Sequence, residues 1–351
     1  ERDPPWEAFP GAWFVLPAVQ VVLEESGGCS TVAADPRETP PAELTATAET
    51  IRENIVEGKA VEEAPGVDAT TRGTTYDQWT DQLEGAPARR EARNLQKVTL
   101  AQTLRADLRG DFPLAGTLER LGATYPDCYR FAFRPDADAG PLTPTGHEPA
   151  PLSTFFGASP ERLVSKDADA LLTGALASTV ARGDTPESDE RMATRLRNDE
   201  KFDAEHQVVV DSIRDQLAPV ANAVTTGERT IRRLDAVQHL YTPIEARSDV
   251  DHVLDVVEAL HPTPAVGGLP PALALDTIRS TETFDRGWYA APVGWFDAAG
   301  DGSFAVGIRS AVAADARATL FAGNGIVADS DPNAEWDEVQ LKYRPILDAL
   351  R

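Results

Sequence analysis

The end of the chain constrains the fold most, because a strand interrupted by glycines leads there directly into a helix. Residues 320–327 read Leu-Phe-Ala-Gly-Asn-Gly-Ile-Val, which predicts a strand that breaks at its two glycines. Asp331 and Pro332 then predict the start of a helix, since Asp caps free N–H groups and Pro needs no N–H at the first helical position. We therefore expect strand and helix to meet near the glycines.

The predicted helix carries two carboxylates and an amine on one face. Glu335, Glu338 and Lys342 follow a spacing of i, i+3 and i+7, which places them on the same side of a helix. Such a face is often only solvated, with a Glu–Lys ion pair that contributes roughly a few tenths of a kcal/mol. The preceding glycines let backbone N–H groups approach a ligand closely. Together, these groups favour a site for a metal-bridged anionic ligand.

The chain is strongly acidic, and its charge bounds its partners. Its 351 residues include 57 Asp and Glu against 33 Lys and Arg, so the formal net charge is −24. This charge argues against nucleic acid or an anionic membrane as a partner, and we interpret it as adaptation to high salt. No run of about eighteen apolar residues predicts a transmembrane helix. Two cysteines, Cys29 and Cys128, give neither a disulfide framework nor zinc-ligand spacing, which favours a cytoplasmic protein.

A buried carboxylate is predicted on a long helix over residues 187–218. An apolar stripe at helical spacing runs along this helix through Val209 and Ile213, and Glu205 falls inside the stripe. An unpaired carboxylate in an apolar environment is costly. We therefore expect Glu205 to have a cation as its partner.

Two predicted strands carry cations. Residues 97–101 alternate, with Lys97 on the face opposite Val98 and Leu100. A strand lysine is usually a surface residue, but the chain has only five lysines, which modestly favours a chemical role for this one. Residues 304–309 also alternate and place Arg309 beside small residues, so that a carboxylate could bind the guanidinium; a surface arginine is the alternative.

Several motifs in this sequence are shared with one enzyme family. They are Gly-Ala-Ser-Pro-Glu at 157–161, Glu-His at 205–206, Val-Gln-His-Leu at 237–240, Glu-Thr-Phe-Asp-Arg-Gly-Trp-Tyr at 282–289, Ile-Arg-Ser at 308–310, and Ala-Gly-Asn-Gly-Ile-Val at 322–327 with the helix that follows. From Trp79 to its last residue, the chain resembles the chorismate-utilising enzymes, which include isochorismate, salicylate, anthranilate and aminodeoxychorismate synthases.

The resemblance implies a fold and a domain organisation. The fold is α+β, of the anthranilate synthase component I kind, with two packed, mostly antiparallel sheets flanked by helices. One chorismate-binding catalytic domain is expected over residues 1–351, with an N-terminal entry segment at 1–75 and the family core at 76–351.

The resemblance also implies a reaction. Residues 261–268, His-Pro-Thr-Pro-Ala-Val-Gly-Gly, are most similar to isochorismate synthases. The implied enzyme is an isomerase that uses Mg²⁺ and converts chorismate to isochorismate by attack of water at C2 and loss of the C4 hydroxyl. Lys97 is implied as the general base that activates water, and Glu161 as the general acid. A lysine at position 97 implies water rather than ammonia as nucleophile, so no amidotransferase subunit is expected.

The remaining site residues follow from the same resemblance. Those implied to bind the substrate are Thr179, His239, Ala265, Val266, Tyr289, Arg309, Gly323 and Lys342. The implied metal ligands are Glu205 and Glu338, with Glu335 as a second contact through water, which suits Mg²⁺ because it keeps several waters. We expect a monomer or a weak homodimer whose product serves menaquinone or siderophore biosynthesis, with menaquinone favoured.

Three other functions are also compatible with the sequence. A salicylate synthase would form isochorismate and then eliminate pyruvate, and anthranilate synthase component I would use ammonia. A catalytically inactive carboxylate-binding protein is the alternative outside the enzymes. Gln102, Ser178 and Ala291 depart from the family pattern, where Arg, Gly and Gly are common, and give this last alternative its support.

Overall fold

The structure is a computed structural model that describes residues 4–17, 19–23, 29–33, 41–57, 61–93, 95–135 and 153–351. Its strands are, in chain order, β1 (Val19–Leu23), β2 (Cys29–Ala33), β3 (Val67–Arg72), β4 (Lys97–Leu108), β5 (Tyr129–Phe133), β6 (Thr154–Ser159), β7 (Arg162–Asp167), β8 (Ala170–Ala181), β9 (Ala223–Thr226), β10 (Thr230–Arg233), β11 (Val237–Arg247), β12 (Gly268–Leu269), β13 (Pro292–Phe296), β14 (Gly302–Val306), β15 (Ser310–Ala314) and β16 (Arg317–Ile326).

Helices occur throughout the same described ranges. They are α1 (Pro41–Glu57), α2 (Tyr76–Arg93), α3 (Leu114–Thr124), α4 (Pro186–Asn198), α5 (Glu200–Leu217), α6 (Val253–Leu260), α7 (Pro271–Thr281) and α8 (Pro332–Leu350). None of these helices has the length and apolar character needed to span a membrane.

The chain divides into two compact units. One is Pro10–Glu63, in which β1 and β2 pair antiparallel and α1 packs on them. The other comprises Glu1–Phe9 and Ala64–Arg351 and contains the remaining elements. The observed boundary at Ala64 differs from the predicted one between residues 75 and 76. The single catalytic domain over residues 1–351 stays a prediction.

Two antiparallel sheets form the framework of the larger unit. Sheet I has the strand order β12-β4-β16-β15-β6-β5, with β3 also paired to β4. Sheet II has the order β10-β11-β8-β7-β14-β13, with β9 also paired to β11. All strand pairs within the described residues are antiparallel. The predicted α+β arrangement of two mostly antiparallel sheets with helices is confirmed.

Sheet I buries its apolar face under helices α3 and α8. Alternate residues of β4, such as Leu104 and Ala106, enter one buried cluster with Val339 and Tyr343 of α8. Fully burying such side chains contributes about 1.5–3 kcal/mol each, so this helix is fixed mainly by its packing.

Helix α8 begins where the sequence predicts. The Asp331 carboxylate accepts the N–H of Ala334 at 2.9 Å, and Pro332 occupies the first helical position. The cap satisfies an N–H that would otherwise have no partner within the helix. It also fixes the register in which Glu335, Glu338 and Lys342 share one face.

The predicted single helix over residues 187–218 is wrong, because two helices occupy this range. Helix α4 ends at Asn198, and Asp199 has an extended conformation with φ −81° and ψ 120°. The Asp199 carboxylate accepts the N–H of Lys201 at 3.0 Å and so caps α5. The apolar periodicity continues across the break, which is why the sequence pattern did not reveal it.

Two neighbouring connections carry the chain between the sheets. Strand β6 of sheet I continues into β7 of sheet II through Glu161, and β14 of sheet II continues into β15 of sheet I through residues 307–309. Hydrogen bonds join the two connections: Val306 N–H donates to Glu161 O at 3.0 Å, and Ala158 N–H donates to Arg309 O at 3.1 Å. Glu161 and Arg309 are thereby brought together from distant parts of the sequence.

The predicted strand alternation over residues 304–309 is wrong beyond Val306, where β14 ends. Arg309 has φ +51°, in the left-handed region that a side chain other than glycine rarely adopts. The reason is the connection itself, because the chain has to leave one sheet and enter the other within three residues. Arg309 is thus presented by a turn and not by a strand face.

A gap in sheet I beside β4 is closed by two side chains. β12 pairs only with the first two residues of β4, and β3 pairs only with its last five. Between them, the Glu282 carboxylate accepts the N–H of Ala101 at 2.7 Å, and Arg286 Nη2 donates to Thr99 O at 2.7 Å. Glu282 and Arg286 also form an ion pair with each other. The two side chains supply hydrogen bonds to β4 that a neighbouring strand would otherwise provide.

Candidate active site

A cavity of about 540 Å³ lies between the two sheets of the larger unit. All thirteen residues predicted for the site line it. They are Lys97, Glu161, Thr179, Glu205, His239, Ala265, Val266, Tyr289, Arg309, Gly323, Glu335, Glu338 and Lys342. The structure brings these residues together, and their individual roles stay predictions.

Lys97 extends from the first position of β4 into the cavity. Gly325 on the neighbouring strand makes room for it, since a Cβ there would lie 2.3 Å from Lys97 Cε. Among the described residues, the Lys97 ammonium has no hydrogen-bond or ion-pair partner. Burial is the main cause that lowers its pKa, and Lys342 lowers it further, while Glu205, Glu161 and Glu338 oppose this.

Glu161 lies on the connection between the sheets and is buried. Its backbone N–H donates to Ser159 Oγ at 3.2 Å, and its Oε1 accepts a hydrogen bond from Thr263 Oγ1 at 3.3 Å. Burial raises the pKa of the Glu161 carboxyl to about 7, against opposing effects of Thr263 and nearby cations. A carboxyl of this kind can hold a proton near neutral pH and release it.

Arg309 and Tyr289 both line the cavity and can donate hydrogen bonds to an anion. The Arg309 guanidinium is buried and has no hydrogen-bond or ion-pair partner within the described residues. Burial raises the pKa of Tyr289 to about 12, so its hydroxyl stays a donor at neutral pH. Gly323 leaves space for that hydroxyl, because a Cβ at this position would lie 3.2 Å from it. A carboxylate bound here would supply the partner that the guanidinium lacks.

Three glutamates line another part of the cavity. Glu205 comes from α5, and Glu335 and Glu338 come from α8. Burial raises the pKa of Glu205 and raises that of Glu335 to about 7, and the charge of Glu338 adds to both shifts. Converging carboxylates that repel each other in this way favour a bound cation.

The donor set fits magnesium. Among the residues that the structure describes, no group of three or more His, Cys, Asp or Glu side chains is arranged so that it could hold a metal ion. Magnesium does not need one, because it commonly binds one or two carboxylates and completes its shell with water and substrate oxygens. Glu205 and Glu338 can provide those carboxylates. Glu335 is less available, since Ser330 donates to its Oε1 at 2.7 Å and Asn324 donates to its Oε2 at 3.0 Å.

Lys342 is held by the protein on all three sides of its ammonium group. It donates to Gly323 O at 2.9 Å, to Asn324 Oδ1, and to Glu338 Oε1 at 2.8 Å. A direct bond from Lys342 to a substrate would therefore require one of these partners to move. In the described structure, its main effect is to orient Glu338 and the Gly323 segment.

His239 and Thr179 meet at an irregularity between β8 and β11. Thr179 Oγ1 and His239 Nδ1 are 3.0 Å apart, and the ring Nε2 is buried without a partner on the cavity wall. Burial lowers the pKa of His239, with Arg309 contributing, so the ring is neutral. Ser178 is the bulged residue, because Thr179 pairs with His239 while Ala177 pairs with Leu240.

The bulge connects sheet II to helix α5. Ser178 has φ +57°, and its single hydroxyl proton is shared between Phe202 O at 2.9 Å and the weaker acceptor Glu205 Oε2 at 3.5 Å. The glycine common to the family at this position would suit the left-handed conformation. Ser178 adopts this conformation as well and adds a contact to Glu205. His206, the next residue of α5, points away and bonds Thr242 Oγ1 at 2.8 Å.

The wall around Ala265 and Val266 is fixed from two sides. Thr99 Oγ1 donates to Ala265 O at 3.0 Å, and Thr99 N–H donates to Gly267 O at 2.8 Å. Arg286 Nη1 donates to Val266 O at 2.8 Å. Thr99 lies on β4, two residues after Lys97, and Arg286 bonds the same strand at Thr99 O.

Sequence reasoning missed several polar residues of the site. Thr263 bonds the predicted acid, Asn324 connects Lys342 to Glu335, and Lys201 pairs with Asp329 at 3.0 Å beside the cavity. Asn324 was signalled by its place between two glycines. Thr263 and Lys201 had no local signal, because their partners are distant in the sequence.

Comparison with known proteins identifies the class to which this fold and site belong. The whole chain, residues 1–351, matches the family described as chorismate binding enzyme. It is 34% identical over 354 residues to the isochorismate synthase MenF of Bacillus subtilis, covering 100% of this chain and 72% of that protein. Over 275 residues it is 42% identical to the salicylate biosynthesis isochorismate synthase of Pseudomonas aeruginosa, covering 78% of this chain and 54% of that protein.

A solved structure supports the same conclusion. The menaquinone-specific isochorismate synthase MenF of Escherichia coli matches with a TM-score of 0.73 at 28% identity, covering 88% of this chain and 69% of that one. The chain belongs to the family of chorismate-binding enzymes, and the fold implied by its motifs is confirmed.

Proposed function

We propose that this protein is an isochorismate synthase, an isomerase that converts chorismate to isochorismate. One observation carries the proposal: a single cavity holds two basic side chains that have no partner among the described residues, Lys97 and Arg309, together with the protonatable carboxyl of Glu161. The buried guanidinium of Arg309 favours an anionic ligand, and chorismate is a dianion. The relatives named as isochorismate synthases support the same activity.

Arg309 and Tyr289 hold the enolpyruvyl carboxylate in this proposal. The guanidinium can donate two parallel hydrogen bonds to a carboxylate, and the Tyr289 hydroxyl adds a third donor. Tyr289 is kept in place by stacking on Phe321, with ring centroids 5.4 Å apart. Ala265 and Val266 bound the space for the ring, and the unpartnered Nε2 of His239 faces it as a polar contact.

The proton transfers involve Lys97 and Glu161. Neutral Lys97 takes a proton from the water whose oxygen bonds to C2, and the ring double bonds shift as the C4–O bond breaks. Glu161 gives its proton to the departing hydroxyl, which leaves as water. One water is added and one is lost, so product and substrate are isomers. A proton returned from Lys97 to Glu161 through solvent restores both groups.

Magnesium is the proposed cofactor, held by Glu205 and Glu338, with Glu335 as a contact through water. When bound, it would neutralise the ring carboxylate and withdraw electron density from the ring. Ser178 and Lys342 contact these ligands and would orient them. The support comes from the Glu205 carboxylate, which has no ion pair among the described residues, and from Glu338, which pairs with Lys342 through Oε1 and leaves Oε2 for a metal.

The setting of the enzyme is proposed from charge and from its relatives. The activity needs no amidotransferase subunit, since the proposed nucleophile is water. A cytoplasmic, salt-adapted monomer or weak homodimer that supplies menaquinone biosynthesis is consistent with the net charge of −24 and with the relatives named MenF.

Product analysis tests the proposal directly. Purified protein is incubated with chorismate and Mg²⁺ in molar KCl, and the products are separated by HPLC. We expect isochorismate without pyruvate, and loss of the reaction on adding EDTA. Salicylate with pyruvate would identify a salicylate synthase, and ammonia-dependent anthranilate fluorescence would identify an anthranilate synthase. No turnover under any of these conditions would favour an inactive carboxylate-binding protein.

A further inference from the structure

The Glu161 carboxyl has one hydrogen-bond partner for its side chain among the described residues. Thr263 Oγ1 donates to Glu161 Oε1 at 3.3 Å, and Oε2 has no protein partner. Both residues are buried, at 4% exposure for Thr263 and 7% for Glu161. The two carboxyl oxygens therefore differ, since one is bonded to the protein and the other is left for the cavity.

Thr263 is itself held in a rigid turn. Its carbonyl accepts the N–H groups of Val266 at 3.1 Å and Gly267 at 2.9 Å, and prolines precede and follow it in the sequence. This turn is bonded to Thr99 of β4, two residues after Lys97, as described above. A continuous set of hydrogen bonds thus runs from the strand of the proposed base, through the turn, to the side chain of the proposed acid.

We propose that Thr263 is a positioning residue that fixes the rotamer of Glu161, so that the transferable proton sits on Oε2 and faces the leaving hydroxyl. This inference rests on the proposed function and assigns a role that none of the predicted residues fills. A threonine hydroxyl has one proton to donate, and here it goes to Oε1. With Oε1 occupied as an acceptor, a protonated Glu161 carries its own O–H on the other oxygen.

The positioning matters because proton transfer depends steeply on geometry. A general acid has to lie within hydrogen-bond reach of the atom it protonates, and small misplacements cost much of its effect. A glutamate side chain has three rotatable bonds, and burial alone does not select one orientation. The hydroxyl of Thr263, on a turn tied to β4, can keep the acid at a fixed position relative to Lys97.

The test compares Thr263→Val, which keeps the shape and loses the hydroxyl, with Thr263→Ser, which keeps the hydroxyl. For Thr263→Val we expect kcat to fall about tenfold with little change in KM, as for one lost hydrogen bond in the transition state. Thr263→Ser should retain most of kcat. Thr277→Val is the matched control, because Thr277 is similarly buried on α7 and its hydroxyl bonds only Leu273 O among the described residues.

A pH profile separates positioning from a purely structural role. The Thr263 hydrogen bond favours the ionised form of Glu161, so its loss in Thr263→Val should move the alkaline limb of the rate profile to higher pH, whereas Thr263→Ser should leave it in place. A fall in rate with an unmoved limb, in parallel with lost thermal stability, would overturn the inference.

A double-mutant cycle gives the sharpest outcome. Because Thr263 acts through Glu161, Thr263→Val should have almost no further effect on the residual rate of Glu161→Gln. Independent, multiplicative losses would contradict the inference. If the wild type is active, Glu161→Gln is inactive and Thr263→Val is normal, the role of Thr263 is excluded and the proposed function stands. A wild type that forms no isochorismate would instead overturn the proposed function and this inference together.

Discussion

At the scale of single residues, the cavity contains ionisable side chains that have few or no hydrogen-bond or ion-pair partners among the described residues. Lys97 is a half-buried amine and Arg309 a buried guanidinium, and burial lowers the pKa of each. Glu161 is the opposite case, since burial raises its pKa to about 7. Their environments push the pKa values of a lysine and a carboxyl towards each other, which is the condition under which one can act as base and the other as acid.

Replacing either of these two groups should remove most of the activity. We expect Lys97→Ala and Glu161→Gln each to lower kcat about 10²-fold or more, the usual size of an acid–base contribution. Glu245→Gln on the exposed part of β11 is the matched control and should stay close to wild type. Steady-state assays with folding checked by circular dichroism decide the matter, and near-wild-type turnover in either variant would remove that residue from the mechanism.

The pH dependence should report the same two groups. Activity requires protonated Glu161, and this form is lost as pH rises through about 7. It also requires neutral Lys97, whose pKa is lowered by burial, and this form is gained as pH rises. We therefore expect a bell-shaped profile of kcat/KM. In Glu161→Gln the alkaline limb should disappear, so that the residual rate rises with pH to a plateau; a persistent alkaline limb would assign it to another group.

At the scale of secondary-structure elements, the β8–β11 bulge and the start of α5 act as one unit. Ser178 holds a left-handed conformation there and bonds both the backbone and a carboxylate of α5. Two opposing effects meet at this residue. The left-handed conformation costs about 1–2 kcal/mol in a residue with a Cβ, and each hydrogen bond contributes about 1 kcal/mol.

Two substitutions separate these effects. Ser178→Ala keeps the backbone strain and loses the hydrogen bonds, so it should lower the free energy of unfolding by about 1 kcal/mol or more. Ser178→Gly loses the same bonds but relieves the strain, so it should remain within about 1 kcal/mol of wild type. Urea unfolding measures both. A glycine variant less stable than the alanine variant would show that the left-handed conformation is not retained in solution.

The ion pair of Glu282 and Arg286 also joins secondary-structure elements, because it fills the gap in sheet I beside β4. Removing one partner leaves a buried charge and frees the backbone groups of Ala101 or Thr99. Glu282→Gln and Arg286→Met should each cost about 3–5 kcal/mol, and the double variant should cost less than their sum. The exposed pair Arg247–Asp169 is the control and should show about 1 kcal/mol or less. An Arg286→Met variant as stable as wild type would show that the gap needs no such closure.

At the scale of the whole molecule, the sequence could predict features that depend on neighbouring residues or on periodicity within one helix or strand. The cap at Asp331 follows from local residue types, and the shared face of Glu335 and Glu338 follows from spacing along one helix. The predicted burial of Glu205 is only partly right, because its side chain is half-buried at the cavity. The break at Asp199 was hidden because apolar periodicity continues through it. The connection at Arg309 was hidden because strand alternation also continues past the point where the chain changes sheets.

Contacts between distant segments set the limit of such prediction. Thr263 and Glu161 are 102 positions apart, and Asn324 connects a strand to a helix through three side-chain bonds. No periodicity encodes these pairs, since they exist only once two sheets and two connections are assembled. The residues that the family motifs predicted for the site all line one cavity, because a motif reflects contacts in the assembled fold, which local propensity does not.

The net charge of −24 leads to the last prediction, which concerns salt. Salt weakens surface ion pairs such as Arg247–Asp169, but each contributes only about 0–1 kcal/mol, whereas the excess of acidic residues repels itself throughout the molecule. Screening of that repulsion should dominate, so Tm should rise as KCl is raised from about 0.05 M to about 1 M, where the Debye length falls from above 10 Å to about 3 Å. Because chorismate is also an anion, kcat/KM at saturating Mg²⁺ should rise over the same range. Thermal unfolding and initial rates in a KCl series measure both effects. A Tm that falls with KCl would mean that ion pairs outweigh self-repulsion. That result would contradict the interpretation of the net acidic charge as adaptation to high salt.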